Sequence, residues 1–175
     1  KGGDVTDLKG IEYFTSLTRL QCGHNKISKL DVSKNTALTE LYCPNNELTE
    51  LDLGNNTALG QLTVTNNQLK ELDISKDTAL TYLACANNQL KELNVSKNTA
   101  LTELSCSYNQ LTELNVNNNT ALTRIDCGSN QLSELDVSKN TALTYLSCGS
   151  NKGNKLTKLD VSNNTELTYL EFWHN

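Results

Sequence analysis

The chain has 175 residues, 37% of them hydrophobic and 20% charged, and carries a formal net charge of −5. That sign argues against a phosphate-binding surface, and so against a nucleic-acid partner, and gives no attraction to anionic membranes. No stretch is long and apolar enough to span a bilayer, so direct membrane insertion is not expected.

Residues 1–16 differ from the rest. Val5, Leu8, Ile11 and Phe14 precede Leu17 in VTDLKGIEYFTSL, a spacing that suits one strand followed by a short helical turn. This segment is expected to act as an atypical capping repeat that shields the first coil.

From Leu17 onward the chain repeats. Leu17, Leu38, Leu59, Leu80, Leu101, Leu122 and Leu143 stand 21 residues apart, and Leu167 follows 24 residues later. The pattern LTxLxCxxNxLTxLDVSxNTA fills six windows from Leu17 to Ala142 and a longer seventh from Leu143 to Glu166. Residues 17–166 therefore read as seven coils and residues 167–175 as a truncated eighth, within one domain. Each window has two halves, LTxLxCxxN and LTxLDVSxN. Both alternate apolar and polar residues with period two, the signature of a half-buried strand. Ten or eleven residues per half leave no room for a strand plus a full helix. The expected fold is a leucine-rich-repeat solenoid, a right-handed coil stack with short parallel strands on both broad faces and little helix. Its core is shared between neighbouring coils, with Leu20, Cys22, Leu30 and Val32 facing inward in the first coil and Leu41, Cys43, Leu51 and Leu53 in the next.

The six cysteines are columnar. Cys22, Cys43, Cys85, Cys106, Cys127 and Cys148 share one repeat position, which Val64 fills in the coil that lacks a cysteine. A position that accepts Val or Cys is small, buried and apolar. Stacked reduced thiols are preferred over disulfides, because Cβ vectors on adjacent parallel strands run side by side. One thiol per coil also disfavours a tetrahedral metal site, and no metal or cofactor is expected.

Asparagine forms a second column at Asn25, Asn46, Asn67, Asn88, Asn109, Asn130 and Asn151, just after the first strand. Because its amide both donates and accepts, such a column can satisfy the turn backbone of two coils. Another column runs through Asn35, Asn56, Asp77, Asn98, Asn119, Asn140 and Asn164, with a single acid. The three-residue insertion near 152–155 is expected to form a bulge directly after the turn at Asn151. At the C-terminus, Leu167 to Asn175 gives half a coil ending near Phe172 and Trp173. The chain reads as a piece of a longer array, or as one whose open end is covered by end-to-end or edge-mediated self-association.

The LxxLxCxxNxL half-motif, repeated through nearly the whole chain, resembles that of bacterial leucine-rich-repeat proteins. The 21-residue period with Cys in place of a core Leu is similar to the cysteine-ladder repeats of the internalins, and VTDLKGIEYFTSLTRL resembles the longer internalin-type repeat. The resemblance implies a secreted or cell-surface protein that binds a host or matrix ligand.

Comparing the repeats with one another locates a candidate ligand-binding face. Outward positions of the second half are nearly constant: Lys29, Glu50, Glu71, Glu92, Glu113, Glu134 and Lys158, then Asp31, Asp52, Asp73, Asn94, Asn115, Asp136 and Asp160. Outward positions of the first strand vary, and they include Arg19, Tyr42, Tyr82, Arg124, Tyr145 and Tyr169, with Trp173 beyond them. A scaffold face repeats because every coil solves the same problem, whereas a ligand is not periodic. Tyr, Trp and Arg are also the commonest interface anchors. The expected partner is a protein or glycan.

Rival readings are weaker. Calcium could attract the acidic columns, but Lys34, Lys76, Lys97 and Lys139 flank them and no wrapping loop is present. His24 and His174 stand at opposite ends of the repeats, so no catalytic dyad can be built from them and no enzyme is expected. A structural spacer in a larger surface protein and an intracellular interaction scaffold remain the alternative functions.

Overall fold

The computed structural model describes residues 3–149 and 153–175. Eight three-residue strands, β1 (Arg19–Gln21), β2 (Glu40–Tyr42), β3 (Gln61–Thr63), β4 (Tyr82–Ala84), β5 (Glu103–Ser105), β6 (Arg124–Asp126), β7 (Tyr145–Ser147) and β8 (Tyr169–Glu171), form one parallel sheet in chain order. Each strand pairs with the equivalent residues of the next coil, as in Arg19 with Glu40 and Leu20 with Leu41. The 21-residue period is thus the length of one turn of a β-solenoid. The only helix among the described residues is a short 3-10 turn, Ile11–Tyr13.

The core is the stack of inward side chains. Leu41, Leu62, Leu83, Leu104, Ile125 and Leu146 at the strand centres and the six cysteines are buried, as are the Leu, Val and Ile residues of the second half in the first six coils. Every buried leucine removes apolar area from water only because another coil covers it. Accordingly Leu156, Leu159 and Val161, in the seventh coil, and Leu167, at the start of the eighth, are only partly buried.

The second broad face departs from the sequence expectation: it carries no strand among the described residues. One inter-coil backbone bond per coil survives there, such as Glu47 N to Ile27 O at 3.0 Å and Gln68 N to Leu48 O at 2.8 Å. Further along, side chains take over the backbone. The Asp31 carboxylate accepts the Ser33 N–H at 2.9 Å, and Asp73, Asn94, Asn115, Asp136 and Asp160 repeat that bond. Such local acceptors turn the chain where a ladder would have continued.

The N-terminal segment also differs from expectation. No strand forms there among the described residues; two backbone bonds tie it to the first coil, Gly3 N to His24 O at 2.6 Å and Lys26 N to Val5 O at 2.9 Å. Leu8 and Ile11 pack against the core, while Val5 and Phe14 face solvent.

Candidate ligand-binding face

Two outward columns cross the sheet. The register aligns Arg19, Glu40, Gln61, Tyr82, Glu103, Arg124, Tyr145 and Tyr169 in one, and Gln21, Tyr42, Thr63, Ala84, Ser105, Asp126, Ser147 and Glu171 in the other. Small residues make the second column shallow: Ala84 and Ser147 are each 6% exposed, against 44% for Tyr42.

The structure gathers four of the candidate residues at one end. The Arg124 guanidinium lies 3.5 Å from the Tyr145 ring centroid. Tyr145 in turn stacks on Tyr169, with centroids 4.4 Å apart and planes within 2°. A cation over a ring face is attracted by the ring quadrupole, so the stack helps hold Arg124 in place. Beside it, Glu171 collects three donors: Tyr169 Oη at 2.8 Å, Ser147 Oγ at 3.2 Å and the Trp173 indole N–H. The Tyr169 bond, seconded by Trp173, holds the Glu171 carboxyl below its ordinary range. The same bond pushes the Tyr169 phenol up to about 12. Asp126, two coils away in the same column, is pushed upward by burial, which the Gly128 N–H and Arg124 only partly offset. This end therefore presents ordered aromatic edges beside a fixed carboxylate.

The other candidates stand apart. Arg19 pairs with Glu40 at 2.6 Å at the opposite end. Tyr82 lies mid-sheet between Gln61 and Glu103, and Tyr42 occupies the other column. Sequence comparison did not single out Glu171 or Ser147. The available signal was position, since residues two apart on a strand share a face.

The two ladders beneath this face are structural. Asn46 Nδ2 donates to Cys22 O at 3.0 Å and to the Cys43 and Pro44 carbonyls of its own turn, while its Oδ1 accepts the Ile27 N–H at 3.0 Å. Asn67, Asn88, Asn109 and Asn130 repeat this bridging of adjacent coils. In the seventh coil the place belongs to Asn154, which bonds Cys127 O and Cys148 O and accepts from Leu132 N at 3.0 Å. Asn151 lies outside the described residues, and the extra residues precede the ladder amide rather than follow it. The Asn154-Lys155-Leu156 spacing, matching Asn130-Gln131-Leu132, was the sequence signal. All six cysteines are free and buried. A threonine hydroxyl ladder at the strand entrances, Thr102 Oγ1 to Thr81 O at 3.0 Å and its equivalents, was not anticipated. His24 and His174 stand in the first and last coils, and no group of three or more His, Cys, Asp or Glu among the described residues could hold a metal ion. No helix among the described residues is long and apolar enough to cross a membrane.

No protein-family model matches the chain, and no match is found among curated proteins. Solved structures do match. The functional domain of internalin J from Listeria monocytogenes, described as including a cysteine ladder, is 43% identical over 95% of this chain, with a TM-score of 0.76. The chain spans 41% of that protein's solved length. Internalin C2 from the same organism shares the fold at 22% identity, with a TM-score of 0.85 over 95% of this chain and 77% of that one. A leucine-rich-repeat protein of Leptospira interrogans, 23% identical, gives a TM-score of 0.72 over 93% of this chain and 50% of that one. With the one-coil period, the buried thiols and the bridging amides in place, the chain is an internalin-like leucine-rich-repeat protein built on a cysteine ladder and an asparagine ladder.

Proposed function

We propose that the solenoid is a non-catalytic binding module of a bacterial secreted or cell-surface protein, recognising a protein or glycan through the first-strand face. One observation carries this reading: irregular residues share two outward columns of a single sheet, whereas the repeated Asp/Asn column opposite is spent on its own turns. A spacer has no reason to vary one side alone. Within the face, Arg124, Tyr145, Tyr169 and Trp173 form the anchor cluster; Tyr82, Tyr42 and Arg19 extend it along the sheet. Rigid aromatics lose little entropy on binding and supply large contact areas. The similarity to internalins supports a surface location, and residues 3–16 serve as the cap of the first coil. The open edge of β8, beside Leu170 and Phe172 at 39% and 57% exposure, suits continuation by a further coil or contact with a second copy.

The test uses arrays of glycans and of extracellular-matrix proteins, probed with the wild-type chain and with a Tyr82→Ala, Tyr145→Ala double variant. Binding by the wild type that vanishes in the variant, while the variant still unfolds cooperatively, is the expected result. Equal binding by both would reject the face.

A further inference from the structure

The thiols divide into two groups. Val64 interrupts the ladder, so Cys22 and Cys43 are separated from Cys85, Cys106, Cys127 and Cys148. In the upper pair the two sulfurs lie 2.8 Å apart, already turned toward one another across the coil boundary. Parallel strands keep neighbouring Cα atoms about 4.8 Å apart, inside the span a disulfide can bridge. Cys22 also belongs to the first coil, with no thiol-bearing coil beyond it, and is 6% exposed where Cys43 is fully buried.

We infer that Cys22 and Cys43 form a peroxide-oxidisable dithiol that closes into a disulfide joining the first coil to the second, while the four lower thiols stay reduced. The inference is independent of the ligand-binding proposal. The Cys22 sulfur, as thiolate, attacks one peroxide oxygen; an S–O bond forms, the O–O bond breaks and hydroxide leaves to take up the Cys22 proton as water. The Cys43 sulfur then attacks Cys22 Sγ. An S–S bond forms, the S–O bond breaks, and the Cys43 proton departs with the hydroxyl as a second water. Two thiols are oxidised and one peroxide is reduced.

Electrostatics favour this order. The hydrogen bond with Cys43 lowers the Cys22 thiol from its ordinary value, and the same bond raises Cys43. Burial instead pushes Cys85 up to about 12 and Cys148 up to about 11, and drives Cys106 and Cys127 well upward. A thiol kept protonated is a poor first attacker on peroxide, so Cys22 reacts first. Cys43, itself held protonated, follows because its sulfur already lies 2.8 Å from Cys22 Sγ.

The whole chain is exposed to dilute hydrogen peroxide, quenched, denatured, alkylated and mapped by peptide mass. The expected result is loss of two of the six alkylatable thiols, recovered as one cross-linked peptide pair containing Cys22 and Cys43. Alkylation of Cys22 and Cys43 at the same level as the other four would overturn the inference, as would oxidation spread evenly over all six. A Cys43→Val variant, copying the residue that the third coil already carries, removes the resolving thiol. Its Cys22 should accumulate a dimedone adduct absent from the wild type, and equal labelling of the two proteins would also refute the mechanism.

Discussion

The two asparagine columns use one residue type and differ in completeness. Asn88, in the column after the first strand, is satisfied at both ends: Nδ2 donates to Val64 O and Cys85 O, each at 3.0 Å, and Oδ1 accepts Leu69 N–H at 3.0 Å. Asn98, in the column after the second half, donates to Ile74 O and Asp77 O, each at 2.9 Å, but its buried Oδ1 has no partner among the described residues. The same orphan oxygen recurs at Asn35, Asn56, Asn119, Asn140 and Asn164. The carbonyls that this second column serves already accept backbone N–H groups, such as Asp77 N to Ile74 O and Leu80 N to Asp77 O, each 3.1 Å. The first column replaces missing backbone bonds; the second adds to bonds that exist. That difference explains why an acid is found only in the second column. Asp77 is buried, and neither carboxylate oxygen has a hydrogen-bond partner among the described residues.

The largest expected effect comes from breaking the complete column. Asn88→Ala strands the Leu69 N–H and removes side-chain donors from two carbonyls, so it should destabilise by about 3–4 kcal/mol. Asn98→Ala should cost about 1–2 kcal/mol, since its carbonyl partners keep backbone donors. Urea unfolding of both variants checks the contrast, and equal losses would show that the columns are equivalent.

Asp77→Asn sharpens the comparison by restoring a donor. Burial, and next the charge of Asp73, raise the Asp77 carboxyl from 3.8 to about 6. The folded chain therefore binds more protons than the unfolded chain between those values, and this group makes wild type more stable as pH falls through that window. The ionised group costs up to about 3 kcal/mol at neutral pH, from 1.36 kcal/mol per pH unit. Asp77→Asn should be the more stable protein at pH 7, with the gap narrowing toward pH 4. Unfolding midpoints across that range would contradict the assignment if the gap stayed constant.

The smallest effect concerns the turn residue before the ladder amide. Asn45, Asn66 and Asn87 adopt left-handed φ of 54° to 57° there, and Tyr108 does so at 53°. Asn tolerates that region better than other side chains with a Cβ. Tyr108→Asn should add about 0.5–1 kcal/mol of stability in urea unfolding, and a loss would mean that the Tyr108 ring holds something that its exposure hides.

Much of the architecture could be read before any coordinates. The 21-residue spacing set the strand register, because identical inward leucines must stack on one another, and the Cys-or-Val alternation marked that position as interior. Variation between repeats placed Arg124, Tyr145 and Tyr169 in one column, and the sheet aligned them there. Alternation misled at the second half, where LTELD reads as a strand but Asp31 and its equivalents capture the N–H two residues on. Period two records which side chains face inward; it does not say where the backbone bonds go.

The sequence alone determined the period, the inward set and the identity of the two ladders, because these depend on chemistry repeated at each coil and averaged over seven copies. Tertiary structure decided what occurs once: the place of Asn154 in the ladder, the closure of Arg124 on Tyr145, the gathering of donors on Glu171 and the short contact between Cys22 and Cys43. Such features depend on distances between particular side chains of neighbouring coils, which a repeat pattern leaves free to differ.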